Sequence, residues 1–142
     1  MPRDAVLLNM EPMPLLEDIK DRADLERLIT HFYERLMVDP EIGHFFNEVV
    51  HLDLAHHIPL IASFWESTLF QTGGYHNDTM AVHLRLHAHS AMEARQFEVW
   101  LRHFSTSVDE MFLGGNAELA KQRAYSIAMI MQVKIKRAAL GS

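Results

Sequence analysis

Apolar residues recur at helical spacing along most of the chain, and no segment shows the two-residue alternation of a β-strand. The first helical segment begins at Asp21 or Asp24, either of which can serve as its N-cap. Its apolar stripe, at intervals of three and four residues, consists of Leu25, Leu28, Ile29, Phe32 and Leu36. Tyr33 lies beside Phe32, at the edge of the stripe. This pattern predicts an amphipathic helix with one buried face.

Two further helix starts follow. Asp39 precedes Pro40, an arrangement typical of an N-cap and a first helical position, and predicts a short helix that carries Phe45 and Phe46. Asp53 predicts the start of a longer helix, in which Pro59 removes a backbone donor and should make the opening turn irregular beside His57. The predicted inner face of this helix consists of Leu54, His57, Ile58, Ile61, Phe64, Trp65, Thr68 and Leu69.

The second half of the chain predicts three more helices. Thr79 can cap a helix of about two turns that carries Met80 and His83. Ser90 and Glu93 form a capping-box pattern before a long apolar stripe, and Asn116 is the predicted cap of the last helix. The stripe consists of Phe97, Trp100, Leu101, Phe104, Val108, Met111 and Phe112, and the last helix should bury Leu119, Ala120, Ile127, Met131 and Ile135. The chain is therefore predicted to be all-α, with about six helices.

The length of 142 residues fits one domain. Three prolines within residues 1–20 predict a loosely structured N-terminal arm. Residues 21–140 are predicted to form the helical domain, and residues 141–142 are interpreted as a remnant of cloning. There is no apolar run long enough for a membrane span and no signal-peptide pattern, and cysteine is absent. A cytoplasmic protein is therefore expected, without a thiolate metal site. The net charge of −6 argues against a nucleic-acid partner.

Ten histidines are the compositional feature that points to chemistry. His83 and His87 are four residues apart on a predicted helix, a spacing that lets two imidazoles share a metal. The alternative is that His83 packs against or caps its helix. Two interpretations are also open for His57: a functional histidine, or an ordinary polar residue at the start of a helix. The remaining histidines, apart from His56 beside it, are predicted to lie on the surface: His31, His44, His51, His76, His89 and His103. From the residues alone, a histidine-liganded non-haem metal protein such as a hemerythrin-like bundle and a cofactor-free sensor or interaction domain both remain open.

The order of the motifs resembles a known family. Six segments follow one another along the chain: Phe32-Tyr33-Glu34-Arg35, Phe45-Phe46-Asn47, His57-Ile58-Pro59, Phe64-Trp65, Tyr75 to His83 and Phe97 to Leu101. In order and spacing they are similar to the truncated haemoglobins of group III, over roughly residues 21–137. The resemblance implies a truncated two-over-two helical sandwich around haem b.

The resemblance also implies the roles of particular residues. His83 would be the proximal iron ligand, and Tyr33 and Trp100 would offer a hydroxyl and an indole N–H to a diatomic ligand at a five-coordinate iron. His57 would lie at the mouth of the distal pocket, either as a gate or as a sixth ligand, and the gate is the favoured interpretation. The residues expected to pack on or near the haem are Phe46, Ile61, Met80 and Phe97, with Trp65 behind Ile61.

The chain departs from the family pattern at two places. Asn77 and Thr79 stand where the loop before the proximal histidine often has glycine and proline, and Leu54 replaces a familiar tryptophan. The implied function is binding of dioxygen, nitric oxide, carbon monoxide or similar small ligands. Nitric oxide dioxygenase-like or peroxidase-like turnover would need an external electron donor, because no reductase segment is recognisable.

Overall fold

The computed structural model describes residues 15–44, 53–70 and 93–140. These ranges contain four α-helices and no strand: α1 Arg22–Met37, α2 Leu54–Phe70, α3 Ala94–Met111 and α4 Gly115–Leu140. The all-α prediction is confirmed. The predicted helix around His83, and the Phe46 end of the short helix after Asp39, lie outside the described residues. No helix within the described ranges is long and apolar enough to cross a membrane.

Three predicted helix starts have a local cap. The Asp21 carboxylate accepts the backbone N–H of Asp24 at 2.9 Å, so the first of the two predicted caps begins α1. Asp39 accepts the N–H of Glu41 at 2.7 Å, and Asp53 accepts that of Ala55 at 3.1 Å. These side chains satisfy N–H groups that have no partner in a helix's first turn. Beyond Asp53, α2 is continuous through its internal proline.

The start of α3 differs from the prediction. The helix begins at Ala94, and Glu93 is the N-cap, with extended backbone at ψ 179°. The Gln96 side chain accepts the backbone N–H of Glu93 at 2.9 Å. The capping box predicted from Ser90 is therefore wrong, because an extended Glu93 cannot already lie inside a helix that Ser90 opens. The Glu-x-x-Gln pattern three residues later provides the cap instead.

The start of α4 has a cap from far away in the sequence. The two carboxylate oxygens of Asp18 accept the N–H groups of Asn116 and Ala117, each at 2.9 Å. The predicted Asn116 cap is therefore wrong: Asn116 is already helical, and its side-chain amide donates to the Ile19 carbonyl at 2.7 Å. Ile19 is 1% exposed, so the short segment before α1 contributes to both the cap and the core.

The buried face of α4 is a row of small residues. Ala117, Ala120, Ala124 and Ala128 are at most 2% exposed, and Met131 continues the row. The predicted inward residues Leu119 and Ile127 are only partly buried at its flanks, and the side chain of Ile135 lies outside the described part. Alanine lets a helix approach its neighbours closely, because little side chain separates the backbones.

The four helices form two packed pairs. Helix α1 packs against α2 and α4 packs against α3, and the pairs meet where α1 contacts α3 and α2 contacts α4. This matches the predicted two-over-two arrangement. The common core contains all five apolar residues of the predicted α1 stripe, together with Ile61, Trp65 and Phe104.

Candidate functional site

A buried phenol–imidazole pair joins α1 to α2. The Tyr33 hydroxyl lies 2.6 Å from Nε2 of His57, and the two rings meet edge to face with centroids 5.1 Å apart. The side chains are 3% and 6% exposed. Tyr33 is placed by the last turns of α1, and His57 by the first turns of α2, immediately before Pro59. The sequence resemblance assigned both residues to one pocket, and the structure brings them into direct contact.

Burial keeps this pair uncharged near neutral pH. It lowers the pKa of His57 to about 4, because an imidazolium loses its hydration there, and raises the pKa of the Tyr33 phenol above its ordinary value. A neutral imidazole can either accept the phenol proton at Nε2 or donate an Nε2–H to the phenol oxygen. The pair can therefore switch donor and acceptor roles without creating a buried charge.

Aromatic side chains line the core beside the pair. Phe32, next to Tyr33, meets Trp100 edge to face at 5.6 Å and Phe104 at 5.4 Å. Phe104 stacks on Trp65 at 5.1 Å, with 17° between the ring planes, and on Trp100 at 6.0 Å. Trp100 thus belongs to the same cluster as Tyr33, through the Phe32 ring. The cluster adjoins the polar pair through Phe32, whose ring centroid lies 5.0 Å from that of Tyr33, and gives that side of the pair a rigid apolar surface.

The other predicted haem-packing residues divide into two groups. Ile61, one turn after His57 on α2, and Phe97, one turn before Trp100 on α3, are buried at 5% and 1% exposure. Both positions are therefore in the core, on the helices that carry the polar residues. Phe46, Met80, His83 and His87 lie outside the described residues, so the proximal side of the predicted site stays a prediction.

His103 is an exception to its predicted surface position. Its side chain is only 12% exposed, and Nε2 lies 2.7 Å from the Asp39 carboxylate. Burial opposes ionisation of Asp39, but hydrogen bonds from His103 and from backbone N–H groups outweigh it and lower the pKa of that carboxyl. The pair fastens α3 to the corner after α1. Sequence reasoning missed it because the two residues are 64 positions apart.

Pattern reasoning also missed the polar contacts of Arg22 at the start of α1. Its guanidinium reaches the Pro59 carbonyl at 3.0 Å and the Ser63 hydroxyl at 2.9 Å, both on α2. No periodicity identifies such a residue, because it lies on a solvated face.

Unlike His103, the predicted surface histidine His31 is partly exposed, and it reaches Glu110 at 2.8 Å.

The described part of the chain contains no group of three or more histidine and acidic side chains that could hold a metal ion. The hemerythrin-like alternative depends on His83 and His87, which that part does not include. It therefore gains no support from the helices around Tyr33 and His57.

Comparisons with known proteins point to one group. No protein-family model matches the chain. A curated relative, a group 3 truncated haemoglobin of Campylobacter jejuni, is 26% identical over 115 residues, which are 79% of this chain and 88% of the relative. The crystal structure of a group III truncated haemoglobin from Campylobacter jejuni superposes with a TM-score of 0.72 and 23% identity, covering 85% of this chain and 95% of the other. The two matches confirm the predicted resemblance: the chain is similar in sequence to a group 3 truncated haemoglobin, and it has an all-α, globin-like fold.

Proposed function

We propose that this chain is a haem protein that binds dioxygen and related small diatomic ligands. The observation that carries the proposal is the buried Tyr33–His57 pair at 2.6 Å, which adjoins the aromatic cluster of α1 and α3 through Phe32. A polar pair buried this deeply costs free energy unless its groups are used, in hydrogen bonds to each other or to a ligand. The similarity to group III truncated haemoglobins supports the same conclusion.

The residues at hand suit haem b. His83 would supply the imidazole ligand of the iron, and Phe46, Ile61, Met80 and Phe97 would supply apolar surface against the haem. Of these, Ile61 and Phe97 are buried on the helices that also carry the distal residues. Haem iron held by a histidine supplies reversible binding of a diatomic ligand, and the polarity and access of the distal side tune that binding.

Tyr33, His57 and Trp100 would act on the ligand from the distal side. A phenol and an indole N–H are neutral donors, and each stabilises a ligand atom that carries partial negative charge. Because His57 stays neutral near pH 7, its Nε2 can accept the hydrogen bond of the Tyr33 hydroxyl, or the hydroxyl can turn toward the ligand and donate there, without a buried cation. The surrounding apolar residues exclude water, which strengthens each of these hydrogen bonds.

A more specific role is the handling of oxygen or nitric oxide. Conversion of nitric oxide and dioxygen to nitrate consumes one electron for each nitrate formed, so turnover would need an external reductase. Peroxidase-like activity would likewise need an added electron donor. We favour His57 as a gate that moves between the pocket and solvent over His57 as a second iron ligand, and its hydrogen bond to Tyr33 would hold the inner position of that gate.

The first test is an absorption spectrum of the purified protein, in the ferric state and in the ferrous state with carbon monoxide. We expect a Soret band at about 400–420 nm. It should be lost or shifted in His83→Ala and kept in the matched variant His87→Ala, which removes an imidazole four residues away. The absence of a Soret band, even after addition of haemin, would refute the proposal and leave the metal and cofactor-free alternatives, which metal analysis would then separate.

The second test measures the role of the distal donors. Each hydrogen bond to a charged acceptor is worth about 1.5–3 kcal/mol. Tyr33→Phe and Trp100→Phe should therefore speed dioxygen release by roughly ten- to a hundredfold, measured by stopped flow. Phe64→Leu, a substitution of an α2 aromatic without a polar group, serves as the control. Unchanged release rates in both distal variants would contradict the assignment of donors.

A further inference from the structure

Two separate polar contacts join α1 to α2. One is the buried Tyr33–His57 pair, and the other is the outer-face contact of Arg22 with Pro59 and Ser63. Arg22 and Tyr33 are three turns apart on α1, about 16 Å along the axis, whereas His57 and Ser63 are about 9 Å apart on α2. The apolar core already packs α1 against α2, and these two polar contacts add directional bonds at two heights along the helices.

The outer contact lies at the internal proline of α2. Pro59 has no N–H, so the carbonyl of Ala55 receives no helical hydrogen bond from position 59. The Pro59 carbonyl accepts both an Arg22 N–H and the Ser63 hydroxyl, each at 3.0 Å. Arg22 therefore holds the peptide group that follows the missing bond. The turn that carries His57 comes directly before that peptide group.

Other groups keep the guanidinium in place. Arg22 donates to Glu26 at 3.1 Å on its own helix and to Glu66 at 3.3 Å on α2. These contacts form a fork that a lysine ammonium could not reproduce, because one planar group reaches four acceptors on two helices. The side chain is 37% exposed, so its value lies in orientation more than in stability.

We propose that Arg22 is a positioning residue of the distal pocket: it holds the Pro59 turn so that His57 stays within reach of Tyr33. The proposal rests on the proposed function only in assigning that pair to a ligand pocket. Without Arg22, the first turns of α2 lack both a backbone hydrogen bond and an outer support. His57 then spends more time away from Tyr33.

The test compares Arg22→Gln with Arg95→Gln, which removes an exposed arginine whose described ion pairs are with Glu41 and Glu98. The first readout is the nuclear Overhauser effect between the His57 and Tyr33 rings, recorded in the carbon monoxide form. We expect it to weaken in Arg22→Gln and to persist in Arg95→Gln. The second is carbon monoxide entry after flash photolysis, which should change by up to about fivefold in Arg22→Gln only.

A rescue distinguishes positioning from general stabilisation. Pro59→Ala restores an N–H that can bond to the Ala55 carbonyl, so it should recover the ring contact in the Arg22→Gln background. An unchanged ring contact in Arg22→Gln, or no recovery in the double variant, would overturn the proposal. If Arg22→Gln fails to fold, Ser63→Ala removes one part of the same contact and should give a smaller loss, and an unaffected ring contact there would also overturn it. A protein without a Soret band would refute the proposed function, and the ring contact, then recorded on the purified protein without carbon monoxide, would still decide the role of Arg22.

Discussion

Replacing Asp18 with alanine should destabilise the protein by about 2 kcal/mol. The carboxylate accepts two N–H groups in the first turn of α4, those of Asn116 and Ala117, each at 2.9 Å. A single charged hydrogen bond contributes about 1.5–3 kcal/mol, and loss of a helix N-cap typically costs about 0.5–2 kcal/mol. We take the overlap of these ranges, because Asp18 is only partly buried and water can replace part of the loss.

The assay is equilibrium unfolding in urea, followed by circular dichroism. With a slope of about 2 kcal/mol per molar urea, the midpoint of Asp18→Ala should fall by about 1 M. Asp18→Asn keeps one acceptor oxygen without the charge, so its urea midpoint should lie between those of the wild type and Asp18→Ala. Asp109→Ala is the matched control, because that carboxylate is 62% exposed and bonds only a lysine side chain, Lys121, in the contacts described for it. It should change the stability by less than about 0.5 kcal/mol.

If the urea midpoint of Asp18→Ala lies within about 0.2 M of the wild-type midpoint, with the same dependence of the unfolding free energy on urea, the proposed contribution of Asp18 is refuted. It would mean that water caps the helix as well as the carboxylate does. A fall in Asp109→Ala as large as that in Asp18→Ala would instead point to a general charge effect.

Three further predictions follow from buried groups. Burial lowers the pKa of His57 from 6.5 to about 4, so the unfolded chain takes up the proton first as the pH falls. Between pH 6.5 and 4, the free energy of unfolding of the wild type should therefore fall by about 3 kcal/mol relative to that of His57→Gln, measured by unfolding at several pH values across that range. Gly114→Ala should destabilise by at least about 1 kcal/mol in urea, because Gly114 has φ +151° and a Cβ there would collide with Asp18. Ala124→Leu should cost about 1–3 kcal/mol by overpacking, measured by thermal unfolding.

Each of these predictions has its own check. Equal pH dependence in the wild type and His57→Gln would show that the imidazole is not buried in its neutral form. For Gly114, the comparison is Gly115→Ala, since a Cβ at that position meets no atom within 4 Å. For Ala124, the neighbour Tyr125 is 59% exposed, and Tyr125→Leu should leave the melting temperature nearly unchanged. A stable Ala124→Leu would mean that α4 has room to move outward.

The sequence predicted the features that depend on neighbours along the chain. The Asp21, Asp39 and Asp53 caps lie within three residues of the N–H groups they accept, and the apolar stripes of α1 and α3 follow from period alone. The Tyr33–His57 contact joins residues 24 positions apart, and only the resemblance to a family placed them together. Periodicity could not supply it.

The features that were missed depend on the tertiary arrangement. The Asp18 cap bridges almost a hundred residues, and the largely buried His103 pairs with Asp39 from another part of the fold. On α4, the prediction correctly included the buried Ala120 and Met131, but it also included the partly buried Leu119 and Ile127. It missed the rest of the alanine face, which is Ala117, Ala124 and Ala128. Local hydrophobicity does not show how near a neighbouring backbone will come.

The alanine row of α4 has a consequence for the axial register of that helix. Ala117, Ala120, Ala124 and Ala128 are methyl groups about one turn apart, so a slide of one turn, about 5.4 Å, would place methyl groups on nearly equivalent neighbours. Such a row favours close contact but discriminates poorly between positions along the axis. Asp18 at one end and the buried side chain of Met131 at the other supply that discrimination. Two residues at its ends thus set where the longest described helix sits on the rest of the protein.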